Sequence, residues 1–274
     1  MKHRSTRRRI TPVFALVLAA APAAAWHARG HRAAALGAVA ILPEEVPSYF
    51  RAGAGSIAHH SVDPDVWRNP ATPELGAATV PWHYVHLDSI EVSDGELDRT
   101  IVELTERLTL AFAEHRRRPD DPDVRAASLV IAGWLAHFAA DLAQPLHTSI
   151  HHDGWALPDG GSPVDGVHAT LDGLLERVVA EPRAAAGDLE PLDIDDVDAA
   201  IARELAASHS ELDSAYAALA ELADGDGEPG PVAVAFACRR FEAATRFLAG
   251  LYRAAWRRSA AVELPRWLDG ARAD

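Results

Sequence analysis

The chain has 274 residues, 40 of them acidic against 26 basic, a formal net charge of −14, and a single cysteine. That acid excess excludes a broad basic surface as the means of gripping polyphosphate or anionic lipid, and one cysteine excludes an intramolecular disulfide. The length suits one large domain with ample room for a buried core.

The first 25 residues have the layout of an export signal. "MKHRSTRRR" is basic with no acid, "ITPVFALVLAAAPAAA" is apolar but short and broken by proline, and Ala23-Ala24-Ala25 fits the small-x-small rule for cleavage. Residues 1–25 are therefore expected to be a signal peptide. Cleavage after Ala25 would make Trp26 the new N-terminus of a secreted or periplasmic domain spanning 26–274. The run "STRRRIT" is similar to a twin-arginine signal, which would mean export after folding. Losing the basic leader leaves the mature chain more acidic still. No other segment reads as membrane-spanning.

Further along, the periodicity is helical. Residues 96–117 place Leu97, Ile101, Leu104, Leu108 and Phe112 at three- and four-residue spacing, which predicts a surface helix with one apolar face. Residues 124–143, "VRAASLVIAGWLAHFAADLA", are apolar nearly all round and predict a central helix. Residues 194–222 are Ala-rich, with Ile201, Leu205, Leu212, Tyr216 and Leu219 in helical register, and 232–259 predicts a long amphipathic helix. Pro81, Pro145, Pro182, Pro191 and "DGDGEPGP" separate the elements. With few β-branched runs and no alternating strands, the expected fold is all-α in a single domain. Cys238, in "AVAFACRRF", is expected to be a buried, inert thiol.

The chemistry lies in the histidines, of which all but His3 follow the signal. "HFAADLAQPLH" sets His137 and Asp141 four residues apart on one helical face, with His147 just past the Pro145 break, and "HATLD" repeats the spacing with His168 and Asp172. These pairs offer nitrogen and carboxylate donors at zinc-like spacing. An ionised aspartate in an otherwise apolar helix is very costly without a partner, so a cation is expected there. A di-iron bundle fits poorly, because that architecture uses Glu-x-x-His pairs. A zinc-binding helical protein without catalysis is the remaining non-enzymatic reading.

The ordered set of Trp26, "GH" with His31, "DPDVWR" with Asp65, "HY" with His83, "HFAADLAQPLH" and "HATLD" resembles the trinuclear-zinc superfamily. That superfamily holds the single-strand-specific nucleases of fungi and plants and the bacterial zinc phospholipases C. The resemblance runs from 26 to about 172. It implies three zinc ions: one held by Asp65, His83, His137 and Asp141; a second by His147, His168 and Asp172; and a third by His31, Asp141 and the free amine and carbonyl of Trp26. Asp141 would bridge two of the metals. Three such ions would recognise phosphate without any basic surface and would activate water near neutral pH. Arg68 matches an arginine that the nuclease branch sets against transition-state charge, so Arg68, Asp65 and Asp141 carry the implied catalysis.

Within that resemblance, Asp172 and the spacing from Trp26 to His31 favour the nuclease branch over the phospholipase branch. The implied substrate is single-stranded nucleic acid or nucleotides, with phospholipid as the alternative. Two departures stand out. The family's "HYxD" is "HYVH" here, so His86 occupies the place of an aspartate that positions the attacking water, with Asp88 as a possible substitute. The usual Gly-rich segment is replaced by "SIHHDGWALPDGGSPVDGV", where Trp155 is a candidate for base stacking or lipid contact. Asp63 competes with Asp65 as ligand, and the distance from Asp65 to Arg68 favours Asp65. His59, His60, His151, His152, His115 and His209 are expected at the surface, and Trp82 and Trp134 as packing beside the ligands.

Overall fold

The computed structural model describes residues 28–89, 95–158, 161–164, 166–222 and 228–268. The expected signal peptide and Trp26 lie outside them. The described residues are helical with no strand: α1 (Ala28–Ala40), α2 (Ser48–Ala52), α3 (Ala54–His60), α4 (Asp63–Trp67), α5 (Pro73–Thr79), α6 (Leu97–Arg117), α7 (Pro122–Leu142), α8 (Val167–Asp172), α9 (Leu174–Val178), α10 (Pro182–Ala185), α11 (Val197–His209), α12 (Leu212–Ala220) and α13 (Pro231–Arg258). Short 3₁₀ turns at Val80–His83 and Pro145–Thr148 carry His83 and His147.

The central helix α7 starts where its sequence says it should. The Asp121 carboxylate accepts from the backbone N–H groups of Asp123 and Val124, at 3.0 and 3.3 Å, and Pro122 occupies the first turn, where a missing N–H costs nothing. It ends because Pro145 forces Gln144 into an extended conformation (φ −96°, ψ 113°). Around α7 the main core gathers Leu97, Ile101, Leu108 and Phe112 of α6, Leu135, Phe138 and Leu142 of α7, Phe247, Leu251 and Tyr252 of α13, and Phe50 and Ile57. All five apolar positions expected on the buried face of α6 are buried. A second cluster, with Leu146, Leu171, Leu175, Leu212 and Phe236, seats the segment that carries the second histidine group.

Small residues set how closely the helices approach. Ala34, Ala140, Ala143 and Ala244 form a buried patch where α1 and α13 meet the C-terminal end of α7. Where α3 meets α7, a Cβ on Gly133 would lie 2.8 Å from the Ile57 carbonyl oxygen and 2.9 Å from the His60 backbone, so only glycine allows α3 to lie this close.

The 194–222 segment is helical as expected and divides into α11 and α12 at Ser210, whose hydroxyl donates to the Ala207 carbonyl at 2.8 Å. Two expectations about burial need correction here. Cys238 is exposed on α13, because the buried stripe falls on Ala233, Phe236, Ala237 and Phe241 and turns that position outward. His115 is buried, 4.4 Å by ring centroid from Tyr49 and beside Trp256. No helix among the described residues is long and apolar enough to cross a membrane.

Candidate metal centre

Four chain segments meet at Asp141, which α7 presents from its last turn with no solvent exposure. Its Oδ2 lies 3.1 Å from His83 Nδ1 and 3.4 Å from His137 Nε2, and its Oδ1 lies 3.5 Å from His31 Nε2. Asp65 reaches the same place from α4, with Oδ1 4.0 Å from His137 Nε2. The His31 and His137 rings stack at 3.9 Å. One carboxylate thus faces two donor groups: Asp65, His83 and His137 on one side, His31 and His137 on the other. A second buried group unites His147, His168 and Asp172, with His168 Nε2 3.5 Å from Asp172 Oδ2. Every described residue among the expected ligands therefore falls into one of two adjoining groups, and Asp63 does not. Asp63 turns away to His60 and Trp134.

The backbone fixes which nitrogens face inward. His137 Nδ1 is 2.9 Å from the Ser61 carbonyl, and His147 Nδ1 bonds the His83 carbonyl. A carbonyl can only accept, so both Nδ1 atoms carry the proton and both Nε2 atoms present a lone pair to the cluster. Gln144 holds the second group: its side-chain amide donates to Asp172 Oδ1 at 2.6 Å, while its own carbonyl caps Leu146 N at 2.7 Å. Gly166, at φ 83°, makes the left-handed turn that starts α8 and delivers His168.

The electrostatics of this arrangement fit a cation. Burial holds His83, His137 and His147 well below the usual histidine range and His168 down at about 3, so all four are neutral donors. Burial pushes Asp65 up to about 7, against the pull of Arg68. Asp141 is raised well above the carboxylate range by burial and then by the neighbouring Asp65 and Asp172 carboxylates. Asp65 Oδ1, Asp141 Oδ1, His147 Nε2 and His168 Nε2 are buried without a hydrogen-bond partner among the described residues. Buried polar atoms are normally satisfied, and these converging unsatisfied ones form donor sets that could hold a metal ion. The residues present therefore fit divalent ions of the kind that accept imidazole and carboxylate.

The centre opens on one side into a cavity of about 350 Å³ lined by Arg68, His83, Tyr84, His86, His147, His152 and His168. Arg68 NH1 is 3.6 Å from Asp65 Oδ1. The Tyr84 and His86 rings lie nearly parallel at 4.8 Å, and His86 and His152 at 5.8 Å, forming a row of flat rings along the wall. Asp88 does not reach this cavity: its carboxylate accepts from the Ser149 hydroxyl at 2.5 Å and from Ile150 N at 2.9 Å, pinning the start of the 149–167 loop. His209 is likewise half-buried rather than a surface residue, with Nδ1 donating to the Thr148 carbonyl at 3.0 Å. Trp155 stacks on Tyr216 at 5.1 Å with half its surface exposed and lies outside the cavity. Trp67, Trp82, Trp134 and Phe138 line a separate, open and mostly apolar cavity of about 230 Å³.

Gln144 and Tyr84 were not singled out in the sequence, and His152, expected at the surface, lines the cavity instead. Gln144 precedes a proline, a common capping position, but nothing local to it reveals Asp172 on another helix. A scan against protein-family models finds no match for this chain, and a search among curated proteins finds no similar sequence.

Proposed function

We propose that the protein is an exported zinc-dependent phosphodiesterase of the kind its ligand order resembles, acting on single-stranded nucleic acid or nucleotides. The observation that carries this reading is Asp141, whose Oδ2 faces His83 and His137 and whose Oδ1 faces His31, beside a cavity lined by Arg68, His83, His147 and His168. Three zinc ions bound there would supply an activated water and neutralise a phosphate in this acidic protein. In the reading, Asp65, His83, His137 and Asp141 hold one ion, His147, His168 and Asp172 a second, and His31, Asp141 and the Trp26 terminus a third.

The chain's own residues divide the rest of the work. Arg68 stands at the cavity wall with its guanidinium steered by Asp65, where it can meet the negative charge that grows on a phosphate during displacement. Ser61 and the His83 carbonyl keep the His137 and His147 lone pairs aimed inward, so the donors do not reorganise on binding. His86 takes the cavity-facing place of the expected aspartate, and Asp88 shapes the loop. The parallel Tyr84, His86 and His152 rings favour a flat base as the group beside the phosphate.

Phospholipid is the second reading. Trp155, Leu157 and Val164 are all about half exposed on the 149–167 loop, an apolar tip suited to a lipid surface. Purified protein starting at Trp26, incubated with single-stranded DNA, RNA and phosphatidylcholine vesicles with and without zinc, separates the two. Zinc-dependent strand cleavage outpacing lipid hydrolysis supports the nuclease reading; the reverse transfers the protein to the phospholipase reading. Activity on neither leaves a metal-binding protein without this chemistry.

A further inference from the structure

One more set of donors converges outside the buried centre. His59 and His60 close α3, Asp63 opens α4, and one ligand atom from each lies within 4.8 Å of the others. His60 Nδ1 is 2.7 Å from Asp63 Oδ2, and the two histidine rings meet edge to face at 5.0 Å. The group is held in place from behind. The close approach of α3 to α7 at Gly133 fixes the His60 backbone, and Trp134 Nε1 donates to Asp63 Oδ2 at 3.1 Å, so the carboxylate is already oriented. Unlike the buried donors, these face water: His59 is exposed, and His60 and Asp63 are half-buried.

We propose that His59, His60 and Asp63 bind one further divalent ion of the imidazole-preferring class, such as zinc, nickel or copper, separate from the buried centre. Two imidazoles and a carboxylate make a three-ligand set whose remaining coordination positions are filled by solvent. The ion takes the place of the hydrogen that joins His60 to Asp63, and that proton leaves to water. Trp134 keeps its hydrogen bond to the carboxylate and so orients a ligand rather than competing for it. Exposure makes the ion exchangeable where the buried ones are not. Because Asp63 and Asp65 share the single short helix α4, an ion here also braces the segment that carries Asp65 into the centre.

The test uses the full mature chain, equilibrated with zinc and dialysed, then titrated with copper(II). Tryptophan fluorescence and electron paramagnetic resonance are followed together. The parent should take up one copper per chain with nitrogen coordination and quench part of its emission, since Trp134 donates to the ligand oxygen. H59Q should weaken that uptake at least tenfold, and the H59Q/H60Q double variant should abolish both signals while retaining the parent's dialysis-resistant zinc. His59 is exposed, so H59Q alone decides the matter if the double variant fails to fold. Equal copper uptake and quenching in parent and H59Q would overturn the proposal. The outcome is independent of the buried centre: a parent that keeps no zinc yet shows His59-dependent copper binding would sink the phosphodiesterase reading and leave this site standing.

Discussion

Zinc added to the metal-free protein should release more protons at pH 6 than at pH 8, and Asp65 should account for a measurable share of the difference. Burial holds Asp65 at about 7, so at pH 6 it carries about 0.9 of a proton and at pH 8 about 0.1. Asp141 is raised well above the carboxylate range by burial and by Asp65 and Asp172, and the free Trp26 amine must also lose a proton before it can bind a metal. His83, His137, His147 and His168 are all depressed and hold no proton to release. Calorimetry in two buffers of different ionisation heat reads the proton count directly. Comparing the parent with Asp65→Asn isolates the titrating share, which should be about 0.9 at pH 6 and about 0.1 at pH 8. Equal release from parent and Asp65→Asn at pH 6 would refute the reasoning, because it would mean that Asp65 is ionised before metal arrives.

The same shifts set the stability of the metal-free fold, with opposite signs. Asp65 is raised, so its contribution favours folding at low pH and is lost as pH rises from about 4 to about 7. His168 is lowered, so its contribution is present above the usual histidine range and is lost as pH falls toward about 3. Each spans about three units, or on the order of 4 kcal/mol, and they nearly cancel across the shared window. Zinc affinity, in contrast, climbs with pH through that window.

Asp141→Ala should lose more than one zinc per chain and essentially all turnover, whereas His115→Ala should keep its zinc and lose about 1–2 kcal/mol of stability through its contacts with Tyr49 and Trp256; elemental analysis and denaturant melts check both. Arg68→Ala should retain metal and lower kcat on single-stranded DNA by about 10²- to 10³-fold, as removal of a preorganised transition-state donor does. Gly133→Ala should destabilise the fold by about 1–3 kcal/mol in urea, because the added methyl meets the Ile57 carbonyl and the His60 backbone.

Much of the fold was legible because the signals were periodic. Leu97 to Phe112 declared the buried face of α6, and the Pro145 break declared the end of α7. The 194–222 segment reads as helix and is helix, but its alanine-rich composition does not reveal the break between α11 and α12. Within the candidate site, residues paired at helical spacing, His137 with Asp141 and His168 with Asp172, could be read directly. Their joining could not be. His83 reaches Asp141 across 58 positions, His137 takes its orientation from the Ser61 carbonyl, and Gln144 grips Asp172 from another element. Such contacts join residues far apart in the chain and carry no local motif. His115 misled for a related reason: it stands in a charged run, "EHRRR", yet its position on α6 turns it toward Tyr49.

In the proposed function these histidines and aspartates hold a set of metal ions completed by the Trp26 terminus. The direct measurement is zinc per chain on protein that begins at Trp26, after exhaustive dialysis to strip the exposed site, beside the same protein carrying Met-Gly ahead of Trp26. The account predicts about three zinc ions in the first and about one fewer in the second, because an amide nitrogen has no lone pair to give. One zinc or fewer in the Trp26-first protein would contradict the shared centre, and equal counts in the two proteins would contradict the terminal ligand.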